Sequence, residues 1–226
     1  MTNISQLNQE LIRCRRCPRL VEFRETVAHE KRRQYVDWDY WGRPVPGYGA
    51  ENARLIIVGL APARHGGNRT GRVFTGDKSA DFLVACLHRT GLANQPNSDS
   101  RDDGLVLNDS YMTPALKCVP PQDKPTAAEL VNCFEWFRAE LSALPEMRCV
   151  LALGKIAFDT CLKFWQDQLP LKRRDYPFSH GAVYHLPNGL RLVGAYHPSP
   201  RNVNTGRLTE TMMLNLLEKV KGLVEK

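Results

Sequence analysis

Short apolar runs separated by longer stretches of mixed polarity give this chain a pattern of alternating strands and helices. Runs that suit strands lie at 55–58, 105–113, 150–153, 183–185 and 192–196. Helical spacing of apolar positions predicts helices at 3–33, from 79 onward, and at 126–144, 154–165 and 209–224. This alternation predicts a layered α/β fold around a central, mostly parallel sheet. Because no internal repeat or low-complexity linker interrupts residues 1–226, we expect a single domain.

Local signals mark the ends of several predicted elements. Ser79 is the expected N-cap of the helix that follows the first strand. Thr126 and Glu129 have the spacing of a capping box. Residues 188–189, Asn-Gly, predict the turn of a hairpin.

Two segments between the elements allow both a structural and a functional interpretation. Residues 34–53 are rich in aromatic residues, Pro and Gly. Their rings could stack on nucleobases, but Pro and Gly favour a plain connector. Residues 172–174, Lys-Arg-Arg, are more typical of a solvated turn than of a ligand site.

Composition limits the class of protein. The 226 residues are 42% hydrophobic and 24% charged, which is typical of a globular chain able to bury a core. No apolar run approaches the ~18 residues of a membrane span, and the first residues lack a signal-peptide pattern. We therefore expect an intracellular protein without a membrane partner. The net charge of +7 is compatible with a polyanionic partner such as nucleic acid.

Four of the seven cysteines form two pairs. Cys14 and Cys17 are a C-x-x-C pair, and 14 residues separate Cys118 from Cys133. In a reducing compartment, four such thiols favour a metal site over disulfides, although free thiols are the alternative. The spacing does not choose between zinc and a [4Fe–4S] cluster. The remaining three lie in apolar patterns and are expected to be buried hydrophobic residues: Cys86, Cys149 and Cys161.

Two loops that each follow a predicted strand carry the candidate chemistry. Residues 59–77 combine glycines, which allow close backbone approach, with arginines, which attract anions. Residues 197–207 offer His197 beside prolines and polar donors. Ligands of open α/β sheets bind at the carboxyl ends of strands. The alternatives are an ordinary surface loop for 59–77 and a structural role for His197.

These loops resemble the two motifs of the uracil-DNA glycosylase superfamily. The matching strings are GLAPA at 59–63, GGNRTGR at 66–72, FTGD at 74–77 and HPS at 197–199. The branch that is most similar is family 5, or type b, of bacteria and archaea. Families 4 and 5 carry a [4Fe–4S] cluster on cysteines that match Cys14, Cys17, Cys118 and Cys133.

The resemblance implies a fold and a setting. The fold would be a three-layer α/β/α sandwich with a central, mostly parallel four-stranded sheet. The N-terminal segment, about 1–33, would be tied to the core by the cluster. The protein would be a monomer of the prokaryotic cytoplasm, associated with the nucleoid, that acts on DNA containing deaminated bases.

The resemblance also assigns catalytic roles. The polar residue that most branches carry near Ala61 is absent, as in family 5, which places the catalytic carboxylate on Asp77. His197 would stabilise the departing base. Pro114 replaces the Asn that reads uracil in strict enzymes, which implies a broader pocket that accepts uracil, hypoxanthine and related bases. Asp123 departs from the usual Asn of its turn, so its role is open.

The implied substrate-binding residues lie in both loops and in the turn between them. Phe74 would stack on the extruded base, while Arg69, Arg72 and Arg201 suit the flanking phosphates. Residues 201–203 are candidates for a wedge that fills the vacated space. The full binding set is Ala61, Asn68, Arg69, Phe74, Asp123, Ser199 and Arg201.

Together these features predict a monofunctional DNA glycosylase that leaves an abasic site, because no lysine is placed as a Schiff-base nucleophile. One alternative is an iron–sulfur DNA-binding or damage-sensing module with little catalysis. A nucleotide phosphotransferase is disfavoured, because the glycine loop lacks the Gly-Lys-Ser/Thr ending of a P-loop. The covalently linking branch is also disfavoured, because no basic insertion follows Asp77.

Overall fold

Six strands form one sheet within residues 3–225, the part of the chain that the computed structural model describes. Residues 1, 2 and 226 of the predicted domain lie outside the described residues. The strands are β1 (Tyr48–Gly49), β2 (Leu55–Gly59), β3 (Ser110–Pro114), β4 (Cys149–Leu153), β5 (Val183–His185) and β6 (Arg191–Ala195). Their order across the sheet is β1-β3-β2-β4-β6-β5.

Helices cover both faces of this sheet. They are α1 (Ile4–Leu11), α2 (Pro18–Glu30), α3 (Gly67–Thr70), α4 (Lys78–Arg89), α5 (Ala127–Ser142), α6 (Lys155–Gln166), α7 (Pro200–Asn204) and α8 (Glu210–Val224). None of the helices described between residues 3 and 225 is long and apolar enough to cross a membrane.

Alternate residues of the central strands belong to two separate cores. In β2, Leu55 and Ile57 join the core that includes buried residues of α4 and α8. Ile56 and Val58 join the opposite core, with buried residues of α5 and α6. Both faces of β2 are fully buried, which is why the strand is continuously apolar in sequence. The predicted three-layer α/β/α arrangement is confirmed.

The sheet is wider than the predicted four strands. β3, β2, β4 and β6 run parallel, so four strands do form the parallel centre. β1 adds antiparallel to β3, and β5 adds antiparallel to β6. Both additions are short edge strands, and a two-residue strand such as β1 leaves no periodic signal in the sequence.

Three predicted boundaries differ from the structure. The second strand begins at Ser110 rather than at residue 105, because Asp109 has a φ of 46° and cannot continue an extended run. The helical segment 3–33 is split into α1 and α2 around the first cysteine pair, with Pro18 starting α2. The N-cap of α4 is Asp77, not Ser79.

A buried ion pair joins α5 to the segment that follows β3. Lys117 and Glu140 are each 1% exposed, and the Lys117 ammonium contacts the Glu140 carboxylate. Glu140 also accepts hydrogen bonds from the Gly47 N–H (2.9 Å) and the Tyr111 hydroxyl (3.0 Å). Every partner of this carboxylate lies far from it in sequence, so the network fixes tertiary packing.

We predict that Glu140→Ala lowers the free energy of unfolding by about 3–5 kcal/mol, because it leaves the Lys117 ammonium buried without its counter-ion. Urea denaturation followed by circular dichroism measures the loss. Glu210→Ala is the matched control: its exposed pair with Arg89 is worth about 0–1 kcal/mol. Equal losses in the two variants would show that the buried pair contributes nothing special.

Candidate functional site

A cleft of about 1010 Å³ opens at the carboxyl ends of the parallel strands. Ala61, which follows β2, lines it together with Asp123, which follows β3. His197 and Ser199, which follow β6, form another part of the wall. Asp77, at the far end of the first glycine loop, lines the same cleft. The two loops singled out from the sequence therefore meet in one place.

Asp77 holds the start of α4 with one carboxylate oxygen. Its Oδ1 accepts hydrogen bonds from the N–H groups of Ser79 (2.9 Å) and Ala80 (3.1 Å). Burial raises the pKa of the Asp77 carboxyl above its ordinary value, and these two N–H donors oppose that rise only in part. A carboxylate with a raised pKa in a cleft is suited to acid–base chemistry.

Gly66 is required by the position of Asp77. A Cβ on Gly66 would lie 2.1 Å from Asp77 Oδ2, which is closer than two such atoms can approach. The glycine loop therefore makes room for the second carboxylate oxygen. This provides a structural reason for a glycine in the first motif other than binding an anion.

His197 lines the cleft and lies beside Phe74, which is buried and is not among the residues that line the cleft. The two ring centres are 6.0 Å apart with an interplanar angle of 31°. Burial lowers the pKa of His197 to about 4, so its imidazole is neutral at pH 7. Phe74 is buried, and a Cβ on Gly59 would come within 2.8 Å of its ring. Because Gly59 has no side chain, the Phe74 ring can pack against the end of β2.

Ser199 and Asp123 present polar groups to the cleft. Ser199 is the N-cap of α7, where its Oγ accepts a weak 3.4 Å hydrogen bond from the Asn202 N–H. Asp123 is exposed and has a φ of 56° in the short turn after β3. Asp and Asn tolerate this backbone region better than most residues, which accounts for either type at this position.

Asn68, Arg69 and Arg72 of the first loop are buried, contrary to their expected role in contacting DNA. Arg72 pairs with Asp103 at 2.7 Å and also donates to Thr75, so its guanidinium is not free for a phosphate. Asn68 is buried in α3, and its amide donates to the carbonyl of Arg24. Both side chains serve internal packing. The expectation of substrate or phosphate contacts does not match these placements.

Arg69 lines the cleft but is 3% exposed. Its Nε donates to the carbonyl of His65 (2.7 Å), and its Nη2 donates to that of Gly76 (3.1 Å). Its guanidinium carbon lies 4.0 Å from the ring centre of Tyr35 and 3.9 Å from that of Trp38. Arg69 therefore braces the first loop, whereas Arg201, exposed on α7, remains available to a phosphate.

The four paired cysteines line one small cavity with apolar walls, far from both loops in sequence. Hydrogen-bond donors lie next to the sulfurs: Arg24 Nη1 is 3.0 Å from Cys118 Sγ, and the Lys117 N–H is 3.2 Å from Cys133 Sγ. Thiolates with N–H donors and apolar walls fit an iron–sulfur cluster. Across residues 3–225, no three His, Cys, Asp or Glu side chains converge closely enough to hold one metal ion. The other three cysteines are buried, as predicted: Cys86, Cys149 and Cys161.

Comparison with known proteins decides the family. A model of the Uracil DNA glycosylase superfamily matches residues 46–221, most of the chain. The chain belongs to the uracil DNA glycosylase superfamily. The resemblance of its two loop motifs to this superfamily is thereby confirmed.

Curated relatives within the superfamily are similar over nearly the full length. The type-5 uracil-DNA glycosylase of Mycobacterium leprae is 49% identical over 222 residues, covering 98% of this chain and 96% of the relative. That of Pyrobaculum aerophilum is 50% identical over 209 residues, covering 92% and 88%. That of Thermus thermophilus is 47% identical over 215 residues, covering 95% of each chain.

The cleft of this uracil DNA glycosylase superfamily member has walls that the sequence analysis did not assign. Tyr35 and Trp38 line it, although their segment was expected to be a connector. His65 lines it as well, and its Nδ1 is 3.0 Å from the Tyr40 hydroxyl. The sequence signal for these walls was the aromatic composition of residues 34–53. The aromatic residues that line the cleft, Tyr35 and Trp38, lie in the first half of that segment.

Proposed function

We propose that this protein is a monofunctional uracil-DNA glycosylase of base excision repair. It would hydrolyse the N-glycosidic bond of uracil and of other deaminated bases, including hypoxanthine and xanthine, and leave an abasic site. The observation that carries the proposal is a partly buried carboxylate, Asp77, facing the same cleft as a neutral histidine, His197. The names of the curated relatives support the same activity.

The substrate must enter the cleft as an extrahelical nucleotide. A base inside a duplex is out of reach of side chains at the sheet edge, so the enzyme flips it, at a cost of a few kcal/mol. That cost is lowest for a mispaired base such as uracil opposite guanine. The net charge of +7 and the exposed Arg201 favour approach to the DNA backbone.

Cleavage separates charge between the sugar and the base, and the two groups suit the two charges. Positive charge grows on the sugar, where the Asp77 carboxylate would stabilise it and orient the attacking water. Negative charge grows on the departing base, where an N–H of His197 would donate a hydrogen bond. Burial keeps His197 neutral, so it would stabilise the leaving base as an anion rather than transfer a proton to it.

The lysine amine at the cleft favours simple hydrolysis over a lyase reaction. Among the described residues that line it, Lys78 supplies the amine, and its Nζ is engaged with Asp81 at 2.9 Å on the exposed surface. A lyase needs an amine free to attack the sugar carbon. We therefore infer that the product is an intact strand with an abasic site.

The walls of the cleft support a broad choice of base. Ala61 lines the cleft without a side-chain polar group. Pro114, the buried last residue of β3, stands where the family resemblance places the base-reading Asn of strict uracil enzymes. A site that lacks such a buried polar group imposes a small penalty on a different base. His197, which packs beside the buried Phe74, would instead provide a hydrogen-bonding contact common to several deaminated bases.

We also propose that Cys14, Cys17, Cys118 and Cys133 hold a [4Fe–4S] cluster. The donors beside their sulfurs and the apolar walls support this group over free thiols. When bound, it would supply a rigid cross-link between the N-terminal segment and the Cys118–Cys133 region. The cavity shares none of its lining residues with the cleft, so the proposed chemistry does not pass through it.

The proposed activity is tested with a panel of oligonucleotides that carry uracil, hypoxanthine, xanthine or a thymine mismatch. We expect release of uracil and hypoxanthine, with strand breaks only after alkali treatment. Gel electrophoresis with and without alkali separates the two steps. Release of uracil alone would contradict the broad pocket, and breaks without alkali would contradict a monofunctional enzyme.

Asp77→Asn should lower the single-turnover excision rate at least ~100-fold, because the amide cannot stabilise the sugar cation or orient water as a carboxylate does. Asn is also a good N-cap, so the melting temperature and DNA binding should stay near those of the wild type. In the wild type, the rate should fall on acidification with a midpoint above the ordinary carboxyl value of about 4, as the raised pKa of Asp77 requires. An unchanged rate in the variant would refute the assignment.

Cys118→Ala should remove the brown colour and the bound iron, as measured by visible absorbance and metal analysis, because it deletes one cluster ligand. Cys86→Ala is the matched control, since Cys86 is buried in α4 outside that cavity. It should keep both. A colourless wild type that binds zinc would rule out the cluster.

A further inference from the structure

Residues 32–38, which we call the aromatic arm, form one wall of the mouth of the cleft. The arm follows α2 and contains a single helical turn, Arg33–Tyr35. Tyr35 and Trp38 line the cleft. Yet Trp38 is 36% exposed and the neighbouring Val36 is 58% exposed. An exposed apolar tip beside a site for a large ligand suggests a contact surface.

The aromatic arm is anchored to the loop that carries Asp77. The Arg69 guanidinium lies against the rings of Tyr35 and Trp38, which are themselves 6.2 Å apart in an edge-on arrangement. The same guanidinium donates to the carbonyl of Gly76, the residue before Asp77. The arm is therefore held in a fixed position relative to the candidate catalytic carboxylate.

The charges of the arm favour a polyanion. Lys31 precedes the arm, and its ammonium donates to the carbonyl of Val36, which brings a cation next to Val36 at the tip. Arg32 and Arg33 follow it, both exposed, and Arg32 also lines the cleft. Asp37, an exposed acid, lies between Val36 and Trp38, and Asp39, also exposed, follows the arm. The cations therefore lie at the start of the arm, and the exposed Val36 and Trp38 lie at its tip on either side of one acid. Cations beside exposed aromatic side chains are typical of single-stranded nucleic-acid contacts.

We propose that the aromatic arm contacts the nucleotides that flank the extruded base. Val36 and Trp38 pack on an unstacked base or sugar, and Arg32 contacts the adjacent phosphate. The flipped nucleotide leaves its neighbours partly unstacked, and every base offers a π-face to an aromatic ring. This inference rests on the proposed function, because the flanking nucleotides exist only if DNA enters the cleft.

The test compares Val36→Ala and Trp38→Ala with Val106→Ala. Val106 is 56% exposed, almost as much as Val36, and lines no part of the cleft. Binding is measured by fluorescence anisotropy with a duplex that contains a tetrahydrofuran abasic-site analogue. Excision of uracil is measured separately under saturating, single-turnover conditions.

We expect Val36→Ala to weaken binding several-fold, Trp38→Ala about tenfold or more, and Val106→Ala not at all. The saturated excision rate of Val36→Ala should stay within about twofold of wild type, because Val36 is not among the residues that line the cleft. Trp38→Phe should recover most of the binding lost in Trp38→Ala, since a ring is kept.

Two outcomes would overturn the inference. One is binding by both arm variants equal to that of Val106→Ala. The other is a Trp38→Ala variant that loses only its saturated rate, which would make Trp38 a support for Arg69 and no more. Absence of uracil excision by the wild type would instead refute the proposed function, while the binding comparison would still judge the arm.

Discussion

The candidate site depends on one constraint: four parallel strands end at the same edge of the sheet. The loops that follow β2, β3 and β6 all begin there. Residues more than 130 positions apart in sequence, such as Ala61 and His197, therefore line one cleft. The helices on both faces bury the central strands β2, β3 and β4 completely and leave the carboxyl ends of the parallel strands as the place where loops can bind a ligand. The side chains of the site can act together only because this topology brings their loops to one end of the sheet.

Much of this arrangement could be predicted from the sequence, because it follows from local patterns. The apolar run 55–58 predicts a buried strand, which is present, and residues of the glycine-rich segment after it line the cleft. The resemblance to the superfamily placed Asp77 and His197 in one site, and both residues line the cleft. The edge strands did not follow, because β1 has two residues and pairs only through its position next to β3.

The roles of the loop arginines could not be predicted in this way. An arginine in a glycine loop suggests an anion site, but Arg72 finds Asp103 and Arg69 finds Tyr35 and Trp38. These partners lie about 30 residues away in opposite directions along the chain, so local composition does not reveal them. A guanidinium with five donors and a flat face suits such bracing as well as it suits a phosphate.

Asp77 shows how a structural role and the proposed chemical role can share one side chain. As the N-cap of α4, it gives Oδ1 to two backbone N–H groups, which fixes the carboxylate in one orientation. Its burial still outweighs these donors and raises its pKa, so the charged form is held at a cost. Because Gly66 has no side chain, there is space beside it for Asp77 Oδ2. Two N–H donors and the space beside Gly66 therefore set the position of this carboxylate, and Arg69 braces the preceding residue, Gly76.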